Sequence, residues 1–267
     1  MKRRNFVKNS LLAGSVAGMV PQATMASAAQ ETQQSANQEF YELRVYSLKN
    51  GRQQKLVEGY LQNALIPAMN KLGSKTIGVF TEYLAQGYTK LFALIPYATM
   101  DDFIKAPEKM AADAAYKQGA AAYLEAQATE PAYERIESSF FKAFTNMPKM
   151  EVPEKKPRLF ELRRYESHNE TASKKKIEMF NEGGEITIFK RVGLTPVFFG
   201  EALIGSMLPN LTYMLTFDDM AEHDKNWKTF GSDPEWKKIS GMPEYANDKI
   251  LSNITRTFLV PTAFSQV

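Results

Sequence analysis

The segment Phe40-Tyr41-Glu42-Leu43-Arg44-Val45-Tyr46 returns 119 residues later as Leu159-Phe160-Glu161-Leu162-Arg163-Arg164-Tyr165. The shared core is aromatic-Glu-Leu-Arg-x-Tyr. Leu91 and Tyr97 match Leu211 and Phe217, and Asp113 and Tyr116 match Asp233 and Trp236, all 120 residues apart. Val79-Phe80 matches Val197-Phe198 at an offset of 118. A fixed internal period means that one structural unit is used twice, so the chain has to be read as a duplication before any fold is assigned.

Each copy has the same order of elements. Alternating aromatic and branched residues predict a strand over 40–46. Asn50-Gly51 is a turn, and Leu56, Tyr60, Leu61, Leu65, Met69 and Leu72 follow at helical spacing. Pro67 lies inside that helix and should kink or split it, and Gly73 is placed to end it. Strands are predicted over 76–84 and 90–96. A helix starts after Thr99, which has the character of an N-cap, and runs to about residue 128. A strand over 133–144 closes the first copy. The second copy repeats this with a strand over 158–165, a helix over 172–191, strands over 195–203 and 211–217, a helix from 218 that breaks near 231–234, and a final strand over 249–260. The fold expected is α+β: two tandem βαββαβ units of the ferredoxin-like type, packed as an α/β barrel. The expected boundaries are 39–147 and 158–267, joined by a linker over 148–157 that contains Pro148, Pro153 and Pro157.

The N-terminus reads as an address. Arg3-Arg4-Asn5-Phe6-Val7-Lys8 resembles the twin-arginine export consensus. The apolar run Leu11–Val20 is too short to span a bilayer as a helix, and Ala26-Ser27-Ala28 fits a small-x-small cleavage site. Residues 1–28 are therefore expected to be a twin-arginine signal peptide, followed by a Gln-rich linker over 29–38 and a periplasmic or otherwise exported protein with no membrane span in its mature form. Losing Lys2, Arg3, Arg4 and Lys8, with no acid, takes the formal charge from +3 to −1. A near-neutral mature chain gives no electrostatic reason to expect a nucleic-acid partner. The chain has no cysteine, which excludes disulfides, thiolate nucleophiles and Cys-type metal sites.

The opening strand motif, together with Trp227-x-x-Phe230-x-x-Asp233-Pro234-Glu235-Trp236 before the last strand, resembles the NIPSNAP family over both repeats. The resemblance implies domains of the dimeric α/β-barrel superfamily, in which two ferredoxin-like sheets close into a barrel. The closure can occur within this chain or between copies of it, so a homo-oligomer is one expectation. Family members suggest no shared catalytic residue. Two functions follow as expectations: a protein that binds a small ligand or a protein partner through its barrel, or a cofactor-free oxygenase, isomerase or haem-handling enzyme like other relatives of the barrel.

Strand alternation sets Tyr41, Leu43 and Val45 on one face of the first strand and Glu42, Arg44 and Tyr46 on the other. Glu161, Arg163 and Tyr165 repeat the polar set. If the apolar residues pack under the helices, the polar residues face the lumen, and Glu42, Arg44, Tyr46, Glu161, Arg163 and Tyr165 become the candidate ligand-binding residues. Arg would then bind an anion and Tyr or Glu would move a proton. The alternative is an internal Glu–Arg brace. The two histidines have no metal-ligand spacing, and no metal or resident cofactor is expected. His168 is expected in a loop and His223 on a helix surface, where it is the one candidate for a haem axial ligand. Trp227, Phe230 and Trp236 read as packing, and Lys174-Lys175-Lys176 as a solvated helix face.

Overall fold

The computed structural model describes residues 38–85 and 90–267, so the predicted signal peptide and nearly all of the linker after it lie outside the described residues. The first repeat contains β1 (Phe40–Ser47), α1 (Gly51–Tyr60), a π-helical turn (Leu61–Leu65) and α2 (Ile66–Lys71). It continues with β2 (Gly78–Glu82), β3 (Lys90–Tyr97), α3 (Met100–Ala112), α4 (Ala114–Leu124) and β4 (Arg135–Ala143). The second contains β5 (Leu159–Glu166), α5 (Glu170–Asn181), α6 (Glu185–Arg191), β6 (Thr195–Ile204) and β7 (Asn210–Phe217). It ends with α7 (Met220–Ser232), α8 (Pro234–Ser240), a 3-10 turn (Pro243–Tyr245), α9 (Asn247–Ile250) and β8 (Asn253–Pro261).

Of the four long helices expected from the sequence, three are divided and the first is widened without a break, each for a local reason. Pro67 has no N–H to donate to residue 63, and the chain widens into the π turn just before it. Gly184 adopts φ +84° and separates α5 from α6. Asp113 and Asp233 leave the helical region and cap the next helix. Asp113 accepts from the N–H groups of Ala115 and Tyr116, and Asp233 from those of Glu235 and Trp236. Each cap is also held by a cation from the preceding helix unit, Lys71 at 2.6 Å and Arg191 at 2.9 Å. The duplication therefore extends to the ion pair that fixes each helical corner.

The eight strands close into one antiparallel barrel within a single chain, in the order β1-β3-β2-β8-β5-β7-β6-β4. The expected closure thus needs no second copy. In each repeat the motif strand is central: β1 lies between β3 and β4, and β5 between β7 and β8. Eight residue pairs join β1 to each neighbour. The joints between the repeats are shorter, with three pairs at β2–β8 and four at β4–β6. The β4–β6 joint is also close, since a Cβ on Gly200 would lie 2.7 Å from that of Phe141. Glycine is the residue that fits there.

Both faces of the sheet are buried. The concave face holds a core drawn from both repeats, including Tyr41, Leu43, Phe80, Phe160, Phe198 and Met214. Ring contacts cross between the repeats, from Tyr41 to Phe198 (5.2 Å) and from Phe80 to Phe160 (4.9 Å). The convex face is covered by each repeat's own helices: Tyr46, Val79 and Ile95 pack with Val57, Leu61, Leu65 and Met69 in the first. In the second, Tyr165, Tyr213 and Phe199 pack with Phe180, Phe189 and Phe230. Among the described residues no helix is long and apolar enough to cross a membrane.

Candidate functional site

The alternation of the motif strands is as expected, but the faces are exchanged. Tyr41 and Leu43 point into the lumen, with Val45 against the same cluster, and Phe160 and Leu162 do so in β5. Glu42, Arg44, Tyr46, Glu161, Arg163 and Tyr165 therefore lie between sheet and helices, not in the lumen. The reason is the surroundings on each side. At this end the lumen is filled by aromatic rings that offer a charge no partner, while the helices and neighbouring strands supply Trp, Tyr and Ser donors.

In the first repeat Arg44 meets Glu42 through two bonds, Nε–Oε1 at 2.6 Å and Nη2–Oε2 at 2.9 Å. Glu42 also accepts from the hydroxyls of Tyr97 (3.0 Å) and Ser138 (2.8 Å). Burial opposes the charge on Arg44, but the hydrogen bond and charge of Glu42, together with Tyr46 and Tyr97, outweigh it and hold the guanidinium well above its ordinary range. Tyr46 is fully buried beside this pair, and its hydroxyl has no hydrogen-bond partner among the described residues. Burial raises its phenol, an effect that Arg44 opposes.

The second repeat solves the same motif differently. Glu161 is completely buried and accepts from Arg163 Nη1 (3.0 Å) and from the indole N–H of Trp227 (2.9 Å). The guanidinium lies 4.3 Å from the Trp227 ring, a cation–π contact, and donates to the Tyr165 hydroxyl at 3.1 Å. Tyr165 also accepts from Tyr213 (3.0 Å). Trp227 is thus a hydrogen-bond donor as well as a packing residue. His223 is not on the helix surface as expected: it is buried beneath α7, with Nε2 3.4 Å from Glu161 Oε2. Its ring abuts those of Phe217 (5.0 Å) and Phe258 (5.1 Å). These residues do not fit haem, because an axial ligand needs an open side on its ring nitrogen and here a carboxylate and packed rings occupy it. His168 is exposed in a loop, as expected.

Lys176 also departs from expectation. It is only 2 % exposed, and its ammonium meets Glu185, equally buried, at 2.7 Å. The ring of Phe180 lies 4.4 Å from that ammonium. Burial pushes the Glu185 carboxyl above its ordinary range, and Lys176 partly restores it. Lys175 behaves as a surface residue, paired with Glu178.

The opposite end of the lumen is open. A cavity of about 240 Å³ sits there, lined by residues of seven strands and both repeats. Its volume is just below the range of roughly 300–1,000 Å³ common for ligand pockets. Val45, Phe92 and Leu162 form an apolar floor. Ser139, Thr212, Thr255 and Thr257 add hydroxyls above it, and Glu82, Lys90, Glu137 and Arg164 add charge. Arg164 is already neutralised by Glu166, with Nε–Oε1 at 2.9 Å. None of these cavity residues was a sequence candidate. A signal does exist: along β5 the lumen-facing positions read Phe160, Leu162, Arg164, Glu166, apolar at one end and charged at the other. Among the described residues no group of three or more His, Asp and Glu side chains is placed to hold a metal ion.

The profile of the NIPSNAP family matches residues 41–145 and again 160–266. A search of curated proteins finds no match. Among solved structures, a provisionally assigned monooxygenase from Fusobacterium nucleatum aligns over 84% of this chain and 92% of its own, with TM-score 0.54 and 10% identity. Another from Lactobacillus acidophilus aligns over 84% and 94%, with TM-score 0.52 and 9% identity. An uncharacterised NIPSNAP-like domain protein from Burkholderia xenovorans covers 40% of this chain and 88% of its own, at 18% identity and TM-score 0.36.

Proposed function

The chain belongs to the NIPSNAP family, and we propose that it binds a small polar molecule in the open end of its own barrel. The observation that carries this reading is the contrast along one lumen, packed with rings at one end and hollow, hydroxylated and charged at the other. A core that served stability alone would be filled along its length, because interiors are close-packed. On this reading the six motif residues under the helices act as an internal brace, since each carboxylate there already has its donors.

The test is to plug the cavity. Thr257→Trp should fill the open end while leaving both helix layers untouched. Native mass spectrometry of protein purified from its host should find a retained small molecule in the wild type and none in Thr257→Trp, with circular dichroism unchanged. Retention of the same mass by the folded, plugged variant overturns the reading.

One observation favours a second reading, an oxygenase or isomerase that works without a cofactor. His223 Nε2 is buried with no hydrogen-bond partner among the described residues and lies 3.4 Å from Glu161, a pairing suited to proton transfer. The provisionally assigned monooxygenases share the fold. That reading expects dioxygen uptake with electron-rich phenols that disappears in His223→Gln. Uptake unchanged by the substitution counts against it.

Export is the remaining part of the proposal, supported by the Arg3-Arg4 motif and the Ala26-Ser27-Ala28 site. Replacing both arginines with lysine should leave the protein in the cytoplasm, and undiminished periplasmic recovery would refute the route.

A further inference from the structure

We propose that the occupant of the open barrel end is an amphiphile, with a hydroxyl- or amine-bearing head in the lumen and an apolar tail lying over the hairpin between β6 and β7. The inference rests on the reading that the cavity binds a ligand, and it names the class of that ligand.

The tail is argued from the hairpin. Leu203, Ile204, Met207 and Leu208 are 37%, 60%, 55% and 48% exposed, four large apolar side chains within six residues. Isolated exposed apolar residues are ordinary, but a cluster at the rim of a cavity marks a contact surface. The hairpin is continuous with the cavity, because Ser206 lines the lumen opening from the same turn. It also separates that opening from a second hollow of about 300 Å³, where Leu203, Leu208 and Pro209 face the start of α5. Asn210 borders both spaces, and its side-chain amide donates to the backbone carbonyls of Ser206 and Met207. The turn between the two hollows is therefore tied down at its base. A chain leaving the lumen over this turn would cover the exposed apolar side chains along its way.

The head is argued from charge. Arg164 is occupied by Glu166. Of the other charged residues that line the lumen cavity, Glu82, Glu137 and Lys90 form no ion pair with any described residue, leaving two free carboxylates to one free ammonium. That balance disfavours an anionic head. Thr212, Thr255 and Thr257 offer hydrogen-bond partners to a hydroxyl or an amine.

Octylamine, butylamine and octanoate separate the terms when titrated by calorimetry below their micelle concentrations. Octylamine should bind at least about tenfold more tightly than butylamine, in keeping with partial burial of four extra methylenes. It should also bind more tightly than octanoate. Met207→Ser combined with Leu208→Ser should remove the chain-length preference and leave butylamine affinity unchanged. Chain-length-independent binding, octanoate binding as well as octylamine, or no binding of any probe overturns the amphiphile. The plugged Thr257→Trp variant distinguishes the two levels. Binding lost on plugging without chain or head preference leaves the cavity standing and removes only the amphiphile, whereas binding unaffected by plugging removes both.

Discussion

The two repeats begin from one strand motif and satisfy it by different means. In the first, Glu42 and Arg44 form a two-bond pair topped by two hydroxyls, those of Tyr97 and Ser138. In the second, Arg163 makes one bond to Glu161 and turns its other nitrogen to Tyr165, and α7 supplies the missing donor from Trp227. The second repeat also buries a further pair, Lys176–Glu185, where α5 meets α6. The comparison shows what a duplicated motif fixes. It fixes a carboxylate and a guanidinium on the convex face, and each helix layer then diverges in how it completes their hydrogen bonds.

Removing the guanidinium is the strongest way to break that comparison. Arg163→Met leaves Glu161, with no exposed surface, beside a single strong donor, and should cost about 3–5 kcal/mol in chemical denaturation. Arg44→Met should cost less, because Glu42 keeps two hydroxyl donors and its side chain retains 5% exposure. Equal losses would show that the two repeats are energetically alike despite their different partners.

Lys176→Met probes the pair that the first repeat lacks. Burial already raises the Glu185 carboxyl, and losing the ammonium raises it further. An acid whose folded pKa exceeds its unfolded value binds more protons when folded, so stability falls as pH rises above the ordinary carboxylate value of 4.5. The variant should therefore lose stability more steeply than the wild type between pH 5 and pH 8. Glu185→Gln in the same chain should flatten the slope. A variant with the wild-type pH profile would mean that Glu185 is not buried as described.

Single donors come next. Trp227→Phe keeps the ring over Arg163 and removes one N–H, for a loss of about 1–3 kcal/mol at a buried carboxylate. Tyr97→Phe in the first repeat should fall at the low end of that range, since Ser138 remains. Ser138→Ala should be the smallest, about 0.5–1 kcal/mol, because this serine lies near solvent. A Ser138→Ala loss as large as that of Trp227→Phe would reverse the ranking of the two networks.

Much of the fold was legible because it depends on periodicity. The repeat offset, the strand alternation, the Thr99 cap and the helix break near 231–234 are local, and the structure uses each of them; the break at Asp113 was not read. The exchanged faces were not legible, for a physical reason. In a barrel with an outer helix layer both faces of a strand are buried, so the polar side of β1 cannot be identified by asking which side meets water. Tyr41 and Leu43 suit either interior; what decides is that Trp227 of α7, Tyr97 of β3 and Ser138 of β4 present their donors on the convex side, and only the three-dimensional arrangement brings them to Glu161 and Glu42. Lys176 looked solvated for the same reason, since its partner Glu185 lies beyond the turn at Gly184. The open cavity depends on where ring packing stops along the lumen. The change from Phe160 and Leu162 to Arg164 and Glu166 hints at that position, but the spacing of one strand does not reveal a hollow shared among seven.

The short joints between the repeats bear on how the protein reaches its native state. Phe80 pairs with Pro261, 181 residues away in sequence. Loop closure over such a distance opposes early pairing, and folding rates fall as contacts become more distant in sequence. Each repeat can assemble its own four strands locally, but until β8 is available the first presents Tyr41, Phe80 and Phe141 on an uncovered concave wall. A nascent chain halted before β8 is therefore a sticky half-shell with two open strand edges. Barrel closure covers that wall and pairs both edges, and so protects the chain from self-association.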